Sequence, residues 1–402
     1  IVHSFPTRRS SDLVADFNRL KKNQIIDSNS ITLSGLVRQA HAEPHVLEVT
    51  PDEENAIRDV LLKSSASDAD LVLMIAGSSA GSKDYTAAIL SDVGEVLVHG
   101  VAIMPGKPTI LGTINGKPVI GIPGYPVSAV LAFEQFARPL LLNLQGMPVQ
   151  KSRSVPVRAS RAIPSKLGSE EFVRVSIGRV GNLAVATPLP RSAGSITTLT
   201  RAEGMIRIPS SSEGLDQGEE IHAELLVDEE DLQNTIVVIG SHDITIDILA
   251  DEIRSVTGRN IRISSGNVGS LGGLMAVKKE ICHFAGSHLL DTQTGEYNIS
   301  YIKRYLKGIG ISLFHLVRRD QGLIVQKNNP KGIRGIKDLT RDDILYVNRQ
   351  AGSGTRILLD HNLARSGIDA GSVRGYDHEE FTHMSVAVDV LSGAAEIGRA
   401  HV

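Results

Sequence analysis

Apolar and polar positions follow different periods in successive stretches of the chain. Leu71-Val72-Leu73-Met74-Ile75 is an unbroken apolar run, as in a strand covered on both faces. Pro118-Val119-Ile120 is another. Between Asn29 and Ala40, the residues Ile31, Leu33, Leu36, Val37 and Ala40 recur at roughly helical spacing. His45-Val46-Leu47-Glu48-Val49 alternates like a strand. Thr50, followed by Pro51 and then Glu53, reads as the N-cap and capping box of a helix that buries Ile57, Val60 and Leu61. Strands alternating with helices over short loops imply an α/β, doubly wound, mostly parallel sheet, in which ligands sit at the carboxyl ends of strands.

From Lys151 the pattern shortens. Val155-Pro156-Val157, residues 171–177, 183–186, 205–208 and 220–225 are β-like runs, separated by turns at Gly178, Gly181 and Gly218, which predicts a small β-barrel or sandwich. The acidic run Asp228-Glu229-Glu230-Asp231 reads as a linker. A second α/β pattern starts at Thr235. Strand Ile236–Ile239 precedes a helix from Ile244 to Val256, Ile261-Arg262-Ile263 leads to Ser264–Ser270, and Ile281-Cys282-His283-Phe284 reads as a buried strand. Tyr346–Arg349 precedes a helix through Leu363.

Composition narrows the class. A chain of 402 residues with 41% apolar content has material for two or three cores, and a net charge of −3 argues against a nucleic-acid partner held by bulk electrostatics. The single cysteine, Cys282, rules out an internal disulfide framework and suits a reducing compartment, as a packed thiol rather than a nucleophile. No run approaches the roughly 18 apolar residues of a membrane span, so the expectation is a cytoplasmic protein with no membrane partner. Residues 1–13 and 396–402 lack periodicity and resemble translated sequencing-adapter read-through; both are set aside from fold reasoning, leaving a chain truncated at each end.

Candidate chemistry gathers at strand ends. Ala76-Gly77-Ser78-Ser79-Ala80-Gly81-Ser82 follows the first apolar run and leads to Lys83-Asp84-Tyr85. His99–Pro108 and Gly121–Ser128 are two more Gly/Pro-rich loops. Glycines let backbone approach an anion, and the open N–H groups of a first helical turn point at it. GSSAGSKDY, HGVAIMPGKP and GIPGYPVSA, in that order, resemble the molybdopterin-binding domain of the molybdopterin molybdenumtransferase family, which includes the gephyrin E domain. Asp27-Ser28-Asn29 and Thr50-Pro51-Asp52 fall where that family has them. Arg191–Leu199, with Ala202-Glu203-Gly204 and Ile208-Pro209, looks like that family's carboxyl-terminal β domain.

The resemblance implies residues 14–147 as the molybdopterin-binding domain and 148–227 as the β domain, with 228–234 as linker. It also implies insertion of molybdenum from molybdate into adenylylated molybdopterin, with Mg²⁺ and release of AMP, in a homodimer. Asp84 matches the family's functional aspartate and is the candidate Mg²⁺ ligand and catalytic group; its plainer reading is a helix N-cap. Lys107, between Pro105 and Pro108, offers a point charge to phosphate or molybdate, or is a solvated loop lysine. The cofactor-binding set is Asp27, Asn29, Gly77, Ser78, Ser79, Gly81, Pro105, Gly106, Pro123, Gly124, Pro126 and Ser128. Asp27 orients ribose or metal, or forms an Asx turn, and Ser128 alternatively caps the helix that runs to Phe136. His99 reads as a packed histidine, and no cluster has zinc spacing. The chain departs from the family at Ile75-Ala76-Gly77-Ser78 in the first loop, has Tyr125 in place of an asparagine, and lacks an upstream acidic, glycine-containing motif. Alternatives on the same fold are a non-catalytic molybdopterin- or molybdate-binding or scaffold protein, and the molybdopterin adenylyltransferase step.

Residues 235–395 look like a type 2 periplasmic-binding-protein domain, proposed to hold molybdate. Ser241, Ser265, Asn267, Ser287, Ser353 and Thr355 follow strands near helix starts, as neutral oxyanion donors or as ordinary N-caps. Arg349 and Arg356 add formal charge, or are surface arginines.

Overall fold

The computed structural model describes residues 2–4, 13–14, 20–22, 24–51, 53–76, 85–149 and 152–401. The chain divides into two compact units, Ile1–Val237 and Val238–Val402.

In the first unit a five-stranded sheet runs in the order Val2–Ser4, Val72–Ala76, Lys117–Pro123, Ile110–Ile114, Glu95–His99. Its first two pairings are parallel and its last two antiparallel. The unbroken apolar run explains the layering, because side chains alternate across a strand. Leu71, Leu73 and Ile75 pack against Leu33 and Val37 of helix Ser28–Gln39 and against Ala129 and Phe133. Val72 and Met74 face the other way, onto Ile57 and Leu61 of helix Glu54–Ala66 and Ile89 and Leu90 of helix Tyr85–Val93. The helix Pro126–Ala132 continues through a π-turn, Phe133–Ala137, into Arg138–Leu144. Pro139 accounts for the widened turn: it has no N–H to give Gln135, and its ring crowds that carbonyl.

Two expectations fail here. His45–Val49 forms no strand, only an isolated bridge at Val46, because its alternation has no face to cover it: Val46 and Leu47 are 50% and 39% exposed. The following helix begins at Glu54, with Glu53 as an N-cap that makes no side-chain bond, so Thr50 is buried rather than capping.

The strands Ser154–Ala159, Glu170–Val180, Leu183–Pro188, Gly204–Ile208 and Glu220–Leu225 close into a barrel through the pairing of Glu170–Val180 with both Gly204–Ile208 and Leu183–Pro188. Gly178 lies within a strand rather than a turn; a Cβ there would come within 2.6 Å of Val237 Cγ2 and 2.8 Å of the Thr235 carbonyl. The expected linker is instead a 3-10 helix, Glu229–Asn234, whose Leu232 is fully buried in the barrel core and whose Glu229 pairs with Arg179.

The second unit contains a three-stranded sheet, ordered Arg262–Asn267, Thr235–Gly240, Phe284–Gly286, and a four-stranded one, ordered Gln321–Val325, Ile397–His401, Tyr346–Arg349, Glu379–Glu380. Within the two segments set aside in the sequence, residues Val2–Ser4 and Ile397–His401 pair as strands. Val2–Ser4 is an edge strand, and Ile397–His401 lies between Gln321–Val325 and Tyr346–Arg349. The strand expected at Ile281 starts only at Phe284, and Cys282 before it is a buried free thiol, pushed up to about 11 by desolvation.

Candidate functional site

In the first unit the ends of distant elements meet. Asp27 caps helix Ser28–Gln39, with Oδ1 accepting from the Ser30 backbone N–H at 3.2 Å and Oδ2 from the Ser30 hydroxyl at 2.6 Å. Two residues on, the Asn29 Nδ2 donates to the Gly124 carbonyl at 2.7 Å, tying this helix start to the Gly121–Ser128 loop 95 positions away. That loop is held from the barrel as well. The Val127 N–H donates to the Ala193 carbonyl at 3.0 Å, and a Cβ on Gly194 would lie 3.9 Å from the exposed Tyr125 ring. The barrel also grips the His99–Pro108 loop, since Ile103–Met104 pairs in parallel with Glu170 and Glu171, and the Glu170 N–H donates to the Ala102 carbonyl at 2.8 Å.

Within that loop Gly106 sits at φ +120°, where an L side chain is strained, and its carbonyl accepts from the Thr109 hydroxyl at 2.7 Å and the Thr109 N–H at 3.1 Å. The Met104–Pro105 peptide is cis. Lys107 projects from this turn into solvent, and no ion pair among the described residues holds it. Pro123 is buried and Pro126 opens the following helix. Ser128 is buried inside that helix; the N-cap is Tyr125, so the capping reading of Ser128 is corrected. His99 is exposed on an edge strand rather than packed, because Glu95–His99 has a sheet partner on one side only. Gly77, Ser78, Ser79, Gly81 and Asp84, and Asp52 upstream, lie outside the described residues.

Strand Glu170–Val180 carries a residue that the sequence did not single out. Arg174 is 2% exposed; its Nε donates to the Thr198 hydroxyl at 2.8 Å and its Nη2 to the Pro190 carbonyl at 2.9 Å, bracketing residues 190–198. Burial lowers its pKa, and Glu171 nearby partly offsets this. Glu171, itself buried, accepts from Arg191 Nη1 at 2.8 Å and fixes the same loop from its other end.

In the second unit the named hydroxyls split between partners. Ser241 Oγ meets Ser270 Oγ at 2.8 Å, and Ser270 Oγ in turn accepts the His288 N–H at 3.0 Å and lies 3.3 Å from His288 Nδ1. A Cβ on Gly354 would stand 2.9 Å from His288 Nε2, so this chain ends against the start of helix Gly354–Arg365. Ser353 caps that helix by accepting from the Arg356 N–H at 3.2 Å, and Thr355 is buried in its first turn. Ser265 Oγ lies 3.3 Å from His242 Nδ1, Ser287 donates to Asn298 Oδ1 at 2.8 Å, and Asn267 is exposed at a strand end. Ser241 is thus linked to the start of helix Gly354–Arg365 only through Ser270 and His288, while Ser287 is tied to Asn298. Arg356 is buried rather than at the surface, and Arg349 is half-buried. Arg356, 7% exposed, reaches Glu379 at 3.2 Å and Asp360 at 3.5 Å and stacks 3.8 Å over Tyr376. Arg349 is held by the Phe381 carbonyl and by His383.

Residues 11–143 match the family described as "Probable molybdopterin binding domain", 156–226 the "MoeA C-terminal region (domain IV)", and 253–401 the "PBP superfamily domain". The chain joins MoeA-like domains to a PBP-like domain. Among curated relatives, YvgK of Bacillus subtilis is 40% identical over 163 residues, covering 40% of this chain and 52% of YvgK. The molybdopterin molybdenumtransferase of Haemophilus influenzae is 38% identical over 135 residues, 34% of this chain and 33% of that enzyme. A solved MoeA protein of Pyrococcus horikoshii is 32% identical with a TM-score of 0.48, covering 56% of this chain and 54% of its own. The chain thus spans about half or less of the length of these relatives. In the MoeA-like part, the order of three loops was the readable signal. Arg174 was missed because an arginine within a β run reads as an outward-facing residue.

Proposed function

We propose that the MoeA-like part binds adenylylated molybdopterin and inserts molybdenum from molybdate with release of AMP, and that the PBP-like part captures the oxyanion. The convergence of the Asp27–Asn29 turn, the Gly121–Ser128 loop and the 190–198 barrel loop carries this reading. Such a crest offers a rigid, small-residue backbone that a nucleotide phosphate can approach closely. Lys107 supplies a point charge on a turn whose shape is fixed by the Gly106 carbonyl. Tyr125 gives an exposed ring for stacking on the pterin.

The residues present fit Mg²⁺. Each Asp27 oxygen accepts one bond from Ser30 and keeps a lone pair. Carboxylate oxygens such as those of Asp27 and Asp84 are the hard donors this ion takes. When bound, Mg²⁺ would neutralise charge developing on the phosphoanhydride. On this reading the enzyme is a cytoplasmic homodimer; no helix of the described residues is long and apolar enough to cross a membrane.

The test incubates the chain with adenylylated molybdopterin and Mg²⁺, with and without molybdate, and measures AMP. Molybdate-dependent AMP that falls at least about tenfold in Asp84→Asn supports the transferase. Binding of the nucleotide without AMP release leaves the scaffold reading, and ATP consumption with unadenylylated molybdopterin leaves the adenylyl-transfer step.

A further inference from the structure

We propose a divalent transition-metal site in the PBP-like unit, formed by His378, Glu380 and Asp389, separate from the hydroxyl chain at Ser241. One ligand atom from each lies within 4.8 Å of the others. Local structure builds this arrangement. The His378 carbonyl accepts from the Asn348 N–H at 2.8 Å and the Glu380 carbonyl from the Gln350 N–H at 3.2 Å, so both residues are held extended against strand Tyr346–Arg349. Residues two apart on an extended strand share a face, and helix His383–Ser392 brings Asp389 over that face.

The electrostatics call for a cation. Among the described residues neither carboxylate is in an ion pair with a lysine or arginine; Asp389 Oδ2 has His378 Nε2 at 3.5 Å, which is charged only if protonated. That Asp389 oxygen is shut off from solvent and has no hydrogen-bond partner, an expensive state for a carboxylate in the absence of a cation. A group of one imidazole and two carboxylates is softer than the all-oxygen sets that suit Mg²⁺ or Ca²⁺ and favours zinc or its neighbours. His378 is exposed, which leaves coordination positions open to water. The ion would staple the Glu379–Glu380 strand to the helix after it, and so brace the Phe381–Thr382 turn whose Phe381 carbonyl holds Arg349. The sequence concealed the set because Glu380 and Asp389 belong to different elements.

The experiment titrates the full chain with ZnCl₂ by calorimetry, with MgCl₂ as comparator, and repeats it for Asp389→Asn and His378→Gln, with circular dichroism to verify that each is folded. The expected result is one tight Zn²⁺ equivalent in the parent, no comparable Mg²⁺ binding, and affinity lowered at least about tenfold in both folded variants. Zn²⁺ should also raise the melting midpoint of the parent, and raise it less in Asp389→Asn. Absence of a tight equivalent in the parent, or binding that survives both substitutions, overturns the proposal. If Asp389→Asn does not fold, His378→Gln alone decides, since its exposed imidazole supports no core.

Discussion

The two units hold their candidate ligand loops in different ways. In the MoeA-like part, side-chain and backbone bonds tie loops from far apart in sequence, 95 positions between Asn29 and Gly124. In the PBP-like part the named hydroxyls answer to nearer partners, 29 positions away for Ser241, 11 for Ser287 and 3 for Ser353. A loop pinned through its backbone by remote elements keeps its shape whatever side chains it carries. A hydroxyl bonded within its own turn is a cap first, and any ligand role must coexist with the cap.

The largest expected effect tests where the MoeA-like core ends. Leu232 directly follows an acidic run in a stretch that reads as linker, yet it is fully buried among barrel side chains. Leu232→Ala is expected to cost about 3 kcal/mol in urea unfolding, as for other buried leucines; a solvated linker residue would cost under about 0.5 kcal/mol. A shift of the smaller size would return 228–234 to the status of a tether.

Arg174 comes next. Arg174→Met keeps much of the volume and strips the donors from the Pro190 carbonyl and the Thr198 hydroxyl. The expected loss is about 2 kcal/mol, because buried acceptors are left unmet. Nucleotide affinity should fall with it if the 190–198 loop borders the site, and Arg174→Lys should restore only part, lacking the fork. Destabilisation with unchanged affinity would separate the loop from the ligand.

In the PBP-like part, Asp243 caps helix Ile244–Thr257 by accepting from the Thr245 N–H at 2.9 Å, and it pairs with Arg319 at 2.7 Å. Bonding from the Thr245 hydroxyl, then its N–H, and the charge of Arg319 hold this carboxyl below its ordinary value of 3.8. A carboxyl depressed in the folded state contributes its full stability above its unfolded value and loses it as pH falls through the folded one. Asp243→Ala should therefore cost about 1 kcal/mol at neutral pH, and the difference from the parent should close as pH drops below about 3.8, the ordinary value. Urea midpoints measured across acid pH check this, and a gap that persists at the lowest pH would assign the effect to packing.

How much could be read from the sequence follows from the same contrast. Leu71 to Ile75 announces a strand covered on both faces because every position in it is apolar, and the Gly/Pro loops announce strand ends because little else tolerates those turns. What stayed hidden depends on partners. His45–Val49 alternates correctly but has nothing to pack on, Leu232 is masked by acidic neighbours, and Arg174 is buried only because a loop 16 to 24 residues later closes over it. Residue type reports propensity; the cost or gain of burial is set by what arrives from elsewhere in the chain.

Ser353 gives the smallest expected stability effect and the sharpest test of the second unit. Its oxygen accepts from the Arg356 N–H at 3.2 Å, which is a capping bond, while the hydroxyl proton remains able to donate in another direction. Cap and oxyanion donor are therefore compatible roles, and Ser353→Ala would disturb both at once. Glycine separates them, since it replaces serine at an N-cap for only a few tenths of a kcal/mol. Ser353→Gly should leave the melting midpoint nearly unchanged while weakening molybdate binding about tenfold, the worth of one hydrogen bond to a charged group. Calorimetric titration with molybdate and with phosphate, on parent and variant, measures this. Molybdate affinity that does not change would make Ser353 a cap and nothing more, and would shift the oxyanion to the Ser241, Ser270 and His288 chain.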